Sequence, residues 1–186
     1  MTVRQRVRII AGKWRSRVLT FPSVDGLRPT GDRIRETLFN WLAPNIAGAS
    51  CLDLFSGSGA LCFEALSRGA GDCLALEKSP KALAALSENK TLFDAAELTL
   101  RRADTVAYLS NSPDNPFDIV FVDPPFDLNV LTEVCVLLEN NQWLTADSLI
   151  YCEFSARHNS FAPPPNWRIE KSKAAGGVNY LLYSRI

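Results

Sequence analysis

The run Phe117–Val122 is apolar nearly throughout and leads directly into Asp123-Pro124-Pro125-Phe126. Two consecutive prolines stiffen the chain and remove two backbone donors. What remains is a rigid pair of acceptors, the Asp123 carboxylate and the Pro124 carbonyl, beside the ring of Phe126. Such a set suits a planar base carrying an exocyclic amine, whose N–H groups meet the acceptors while the ring stacks. An amine conjugated with a ring is a poor nucleophile, and hydrogen bonds from its protons return electron density to nitrogen as it attacks. The plainer alternative is a structural proline turn.

Three further acids fall at comparable places. Asp53 lies in the strand-like stretch Cys51–Phe55 just before its exit loop, Glu77 ends Cys73–Glu77, and Asp104 follows Leu98–Arg102. In open α/β sheets ligands bind beyond the carboxyl ends of the strands, so these acids would share one sheet edge with Asp123. The first exit loop, Ser56-Gly57-Ser58-Gly59, lets a ligand approach the backbone closely. A dinucleotide GxGxxG pattern needs glycine at 62, where Cys62 stands, which disfavours a pyrophosphate ligand. Glu77, about twenty residues on, fits an acceptor for ribose hydroxyls. Asp104 fits either an adenine amino group or a helix cap. A nucleoside pocket next to an amine-holding loop points to methyl transfer from S-adenosylmethionine. That reaction is a direct displacement needing no metal and no covalent intermediate.

The elements that must position these groups follow from periodicity. Strands are expected at Cys51–Phe55, Cys73–Glu77, Leu98–Arg102, Phe117–Val122 and Leu149–Phe154. Helices are expected at Ala60–Arg68, from Ser79-Pro80 onward, at Thr105–Leu109 and at Val130–Asn140. Another helix, capped by Thr30 or Asp32, buries Ile34, Leu38, Trp41 and Leu42 and leaves Arg33, Arg35 and Glu36 on other faces. Two closing strands, about 167–173 and 178–184, flank Gly176-Gly177 as an antiparallel hairpin. Repeated β-α units imply an α/β fold with a parallel sheet and helices on both faces.

The formal net charge of zero hides an asymmetry: residues 1–40 carry nine Lys/Arg and three Asp/Glu. Residues 7–19 read as a short hairpin turning at Ala11-Gly12-Lys13, with Arg4, Arg6 and Arg8 alternating along one strand face and Arg15 and Arg17 along another. A basic ribbon carrying Trp14 suits phosphate contacts plus base stacking; alternatively Trp14 anchors the hairpin. Residues 1–20 are therefore read as a basic arm on a body formed by 21–186. The 47% apolar and 22% charged composition argues against disorder. No stretch approaches the ~20 apolar residues of a membrane span. Five widely spaced cysteines without a CxxC pair support neither a disulfide framework nor a zinc knuckle. Reduced, cytoplasmic and monomeric is the expectation, with no membrane partner. His158 is read as a surface residue, and Trp143 and Trp167 as packing at element ends.

RIIAGKWRSR, LRPTGDRIRETLFNWL, CLDLFSGSGALCFEALSRGA and FVDPPF together resemble the bacterial RsmD family, over nearly the whole chain. The resemblance implies a Rossmann-like class I methyltransferase fold: a mostly parallel seven-stranded sheet with an antiparallel C-terminal strand and helices on both faces, plus an N-terminal β-hairpin arm. It implies transfer from S-adenosylmethionine, leaving S-adenosylhomocysteine, to the N2 amine of guanine-966 in 16S rRNA. The partner implied is a small-subunit assembly particle. By the same resemblance Asp53, Phe55, Gly57, Gly59, Ala60, Glu77, Lys78, Asp104 and Thr105 bind the cofactor. Asp123, Pro124, Pro125 and Phe126 hold the target base. Arg4, Arg6, Arg8, Lys13, Trp14, Arg15, Arg17, Arg28, Thr30, Arg33 and Arg35 contact RNA. Ser56 and Cys62 depart from the family pattern. Three other readings compete: an adenine-N6 or other amine methyltransferase acting on DNA or another RNA, a nicotinamide-dependent oxidoreductase disfavoured by Cys62, and a non-catalytic RNA-binding protein.

Overall fold

The apolar run before Asp123 lies at the centre of a sheet covered on both faces, which is why it lacks alternation. The computed structural model describes residues 4–23, 30–125, 130–156 and 161–186. The elements are β1 (Arg4–Arg8), β2 (Val18–Pro22), α1 (Asp32–Leu42), β3 (Ser50–Asp53), α2 (Ala60–Ser67), β4 (Asp72–Glu77), α3 (Pro80–Phe93), β5 (Leu98–Arg102), α4 (Thr105–Leu109), β6 (Phe117–Val122), α5 (Leu131–Asn140), β7 (Leu144–Ser155), β8 (Trp167–Ala175) and β9 (Val178–Arg185). The seven-stranded sheet has the order β5-β4-β3-β6-β7-β9-β8. Strands β5, β4, β3, β6 and β7 are parallel, and β9 runs antiparallel to both its neighbours. Strand alternation sends Cys51, Phe121 and Tyr151 into a core beneath α1, α2 and α3, and Leu52, Val120 and Ile150 into a second core with α5. The mostly parallel sheet with a reversed C-terminal strand is the arrangement expected above.

Local signals are kept in most places. Ser79 caps α3 with its side chain and Pro80 occupies the first helical position. Strand β7 begins earlier than expected, at Leu144, because a register shift against β6 lets the polar stretch 145–147 bulge out before Leu149 resumes pairing. All five cysteines are buried and free. Trp143 and Trp167 are buried at element ends. His158 lies outside the described residues.

The arm differs more. β1 and β2 pair antiparallel as a separate two-stranded sheet. Arg4, Arg6 and Arg8 are exposed, alternating with buried Val7. The connection is longer than a three-residue turn, and Arg15 and Arg17 are exposed in it rather than on a strand. Val7, Ile9, Trp14, Leu19 and Phe21 join the core beneath α1–α3. The loop is pressed onto α2: a Cβ at Gly12 would lie 1.7 Å from the Ser67 carbonyl oxygen, and its φ is +84°. The Ile10 and Ala11 N–H groups donate to the Glu64 carboxylate at 2.8 and 3.1 Å, and the Trp14 N–H donates to Ser67 Oγ at 3.0 Å.

Two RNA-contact expectations are thereby corrected. Trp14 is only 6% exposed, meets the Phe93 ring edge-on at 5.4 Å and lies under Lys13 Nζ. Its faces are taken by protein, so it cannot stack on a base. Arg35 is not on an outer face of α1 but fully buried. Its Nε donates to the Thr30 carbonyl, and its Nη2 donates to the Arg8 carbonyl and to Asp32. Its Nη1 lies 3.5 Å from Glu64 Oε2, an ion pair between two fully buried side chains. The helix cap is corrected as well. Gly31 is the N-cap of α1, without a side-chain cap bond, and the Thr30 hydroxyl points elsewhere.

Candidate active site

Strand order reverses between β3 and β6: the chain moves outward from β3 to β5, then crosses back to β6. A crevice at such a switch point is the usual ligand site of an open α/β sheet. Here it is a cavity of about 810 Å³. Asp53, Glu77, Asp104 and Asp123 all line it, so the four strand-end acids read from the sequence do converge.

The glycine loop shapes one wall. Gly57 and Gly59 adopt φ of 50° and 81°. Gly57 lines the cavity with Phe55 and Ala60, whereas Gly59 is absent from the lining and turns the chain into α2. There a Cβ would fall 2.7 Å from Leu86 Cδ2 and 2.8 Å from Phe63 Cδ2. Glu77 braces this loop: its carboxylate accepts the Gly57 N–H at 2.8 Å and the Ser79 N–H at 2.6 Å. Asp104 caps α4 through the Ala107 N–H and accepts from Lys78 Nζ at 2.9 Å. That lysine contact, with the cap bond, holds the Asp104 carboxyl below its usual range. Lys78 and Thr105 also line the cavity, but the Thr105 hydroxyl is already engaged with the Leu54 carbonyl at 2.7 Å.

Asp123, Pro124 and Pro125 also line the cavity; Phe126 and Arg28 lie outside the described residues. The Thr30 hydroxyl donates to Asp123 Oδ2 at 2.8 Å. This occupies one carboxylate oxygen and leaves Oδ1 to a ligand. Thr30 therefore belongs to the cavity rather than to an outer RNA surface. Burial, and next the charge of Glu153, push the Asp123 carboxyl well up, against the Thr30 hydrogen bond. Glu153, near the end of β7, is a fifth acid in the lining that the sequence reading passed over. The signal lies in the sequence: Leu149–Phe154 reads as a strand, and Glu153 stands at its carboxyl end as the other acids do at theirs. Ala175, Gly176 and Val178, at the β8–β9 turn, complete the lining.

Asp53 is the electrostatic anomaly. It is 2% exposed, and its Oδ2 is buried with no hydrogen-bond partner among the described residues. Burial pushes its carboxyl from 3.8 up to about 7. A buried acceptor left without a donor is costly, so its geometry fits a ligand that brings N–H donors or positive charge. S-adenosylmethionine, with its ammonium and sulfonium, is such a ligand.

Comparison with known proteins agrees with this architecture. Residues 7–184 match the family described as Conserved hypothetical protein 95. The Escherichia coli protein named Ribosomal RNA small subunit methyltransferase D is 44% identical over 180 residues, covering 97% of this chain and 90% of its own length. The chain belongs to the RsmD family. A Haemophilus influenzae protein of the same name is 44% identical over 95% of this chain and 93% of its own. The solved structure of the Escherichia coli protein yhhF superposes with a TM-score of 0.88 at 44% identity, covering 97% of this chain and 98% of that one. The RsmD-family fold thus spans the hairpin as well as the sheet, and no helix among the described residues is long and apolar enough to cross a membrane.

Proposed function

We propose that this chain transfers a methyl group from S-adenosylmethionine to the N2 amine of a guanine in 16S rRNA, guanine-966 by family resemblance, within a small-subunit assembly particle. The observation that carries the reading is the sharing of one cavity by Asp53, whose Oδ2 has no hydrogen-bond partner among the described residues, and the Asp123–Pro124 acceptors. When bound, S-adenosylmethionine supplies an electrophilic methyl group on a cationic sulfur.

The protein's own part is positioning and charge. Asp53 would take a cationic or N–H-bearing part of the cofactor, and Glu77 its ribose hydroxyls while bracing Gly57. Asp104 offers an anionic rim for the adenine amine. Asp123 Oδ1 and the Pro124 carbonyl accept the two N–H groups of the target amine, aiming its lone pair away from them. As nitrogen gains its methyl group it must lose a proton, and Asp123 Oδ1 is placed to take it. Alignment of this kind can contribute roughly 7–11 kcal/mol in favourable cases. Arg6, Arg8, Arg15 and Arg33 are exposed and would meet RNA phosphates; Arg4 is exposed but pairs with Glu88 at 3.1 Å, which reduces its share. Lys13 and Arg17 are exposed too, but Lys13 pairs with Glu97 and Arg17 donates to the Leu92 carbonyl, so their share is smaller. The protein acts as a cytoplasmic monomer in this reading.

The test is incubation with isotopically labelled cofactor and small-subunit particles from a strain lacking the gene. Label recovered as N2-methylguanine in 16S RNA is expected. N6-methyladenine in DNA would overturn the substrate, and cofactor binding without turnover on any RNA would overturn the chemistry.

The Asp53 shift predicts a pH dependence. An acid whose folded pKa is raised holds its proton longer in the folded chain, so stability falls as pH rises from about 4 through about 7. A cationic cofactor favours the ionised form. Its affinity should therefore weaken by up to roughly tenfold per pH unit below 7. Calorimetric titration between pH 5.5 and 8 checks this, and Asp53→Asn should flatten the profile. A flat wild-type profile would mean that the cation lies elsewhere.

A further inference from the structure

We infer that Glu153 reads the N1–H of the target base, so that the site selects guanine over bases whose N1 is an acceptor. This deepens the proposed function and rests on its placement of the target amine at Asp123.

The register of the sheet supplies the first argument. Val122 lies opposite Cys152 in the parallel β6–β7 ladder, so the next step brings Asp123 beside Glu153, on strands about 4.8 Å apart. Phe121 and Tyr151 both point into the core beneath α1–α3. Alternation therefore turns Asp123 and Glu153 to the same side. Both line the cavity, and Glu153 is the largest charge acting on Asp123. The Tyr151 hydroxyl donates to Glu153 Oε2 at 2.7 Å, within the buried interior. This holds the carboxylate in place; a carboxylate accepts at about four positions, of which the Tyr151 bond uses one. The partnerless Oδ2 of Asp53 is independent evidence that a donor-bearing ligand belongs in this cavity.

The order of groups across the sheet supplies the second. Along β3, β6 and β7 stand Asp53 on the cofactor side, Asp123 at the amine, and Glu153 beyond it. The reacting edge of guanine presents N2–H and then N1–H. The reacting edge of adenine presents N6–H and then the bare N1 lone pair. A second carboxylate at the second position accepts from guanine and opposes adenine. The Asp123-Pro124 pair alone grips either amine equally. Sites built to hydrogen-bond a substrate N–H reject analogues lacking it by large factors, because a buried acceptor is left facing a lone pair.

The probe is 2-aminopurine, which keeps the N2 amine but has an acceptor at N1. Particles reconstituted with 16S RNA carrying guanine or 2-aminopurine at the target nucleotide are compared by kcat/KM. The wild type should prefer guanine by about 100-fold or more. Glu153→Gln should slow guanine methylation and collapse the preference below about tenfold, because its amide N–H can donate to N1. The variant separates N1 from O6, which 2-aminopurine also lacks. Calorimetry with S-adenosylmethionine confirms that the variant retains its cofactor site. A wild-type preference under tenfold overturns the inference without any variant, and so does a variant that keeps the wild-type ratio. Failure of the wild type to methylate guanine at all overturns the proposed function instead.

Discussion

Asp123→Ala should reduce methyl transfer by at least about 10³-fold while S-adenosylmethionine still binds within about tenfold. The residue performs two tasks in the proposed reaction. Its Oδ1 accepts from the target amine and so aims the lone pair, and it takes the proton that nitrogen sheds. Acid–base groups contribute roughly 10²–10⁴-fold, and a lost electrostatic partner in a water-excluded site roughly 10²–10³-fold. The two losses fall on one side chain. Cofactor binding is spared because, in the proposed arrangement, the cofactor meets Asp53, Glu77 and Asp104 rather than Asp123. Asp123→Asn separates the tasks: the amide oxygen can still accept an N–H, but it cannot hold the proton. It should fall between alanine and wild type. Single-turnover incorporation of labelled methyl, with calorimetry on the same samples, gives both quantities. Activity within tenfold of wild type in the alanine variant would remove Asp123 from the chemistry.

Glu64→Ala should cost about 3–5 kcal/mol of stability, the usual consequence of leaving a buried charge without its counter-charge. Glu64 is 0% exposed on α2 and touches four partners: the Ile10 and Ala11 N–H groups, Arg68 Nε at 2.7 Å and the Arg35 guanidinium at 3.5 Å. Arg35 is equally buried and its Nη1 has no aligned hydrogen bond. Asp32 also pairs with Arg35, at 2.6 Å through Nη2, but is exposed to solvent, so Glu64 is the counter-charge that shares its buried setting. For a chain of this size such a loss lowers the melting temperature by about 10 °C or more. The double variant Glu64→Leu with Arg35→Met should recover much of the loss, since apolar replacements of buried pairs are often neutral. Melting curves of the four proteins close the cycle. A loss under 1 kcal/mol for Glu64→Ala would show that the pair contributes little.

Much of this architecture can be read from the chain alone. The unbroken apolar run of β6 signals a strand covered twice, the Ser79-Pro80 pair fixes the start of α3, and acids at four strand ends point to one edge. What escapes is long-range pairing. Helical arithmetic puts Arg35 off the apolar face, and its burial depends on partners that arrive from elsewhere in the chain, Glu64 on α2 and the Arg8 carbonyl. Trp14 reads as a stacking platform until α2 and α3 supply Phe63 and Phe93 around it. Thr30 reads as a cap because the sequence does not show Asp123 arriving beside it. Glu153 escapes for a related reason: its strand is legible, but only the pairing of β7 beside β6 brings that carboxyl end next to Asp123.

The position of β9 has a consequence for timing. The strand follows β8 in sequence, yet it inserts between β7 and β8, and the turn that precedes it walls the cavity. During synthesis the parallel strands can assemble first, with the long β7 exposing an unpaired edge open to adhesion by other chains. Pocket closure must then wait for residues 175–178 to clear the exit tunnel.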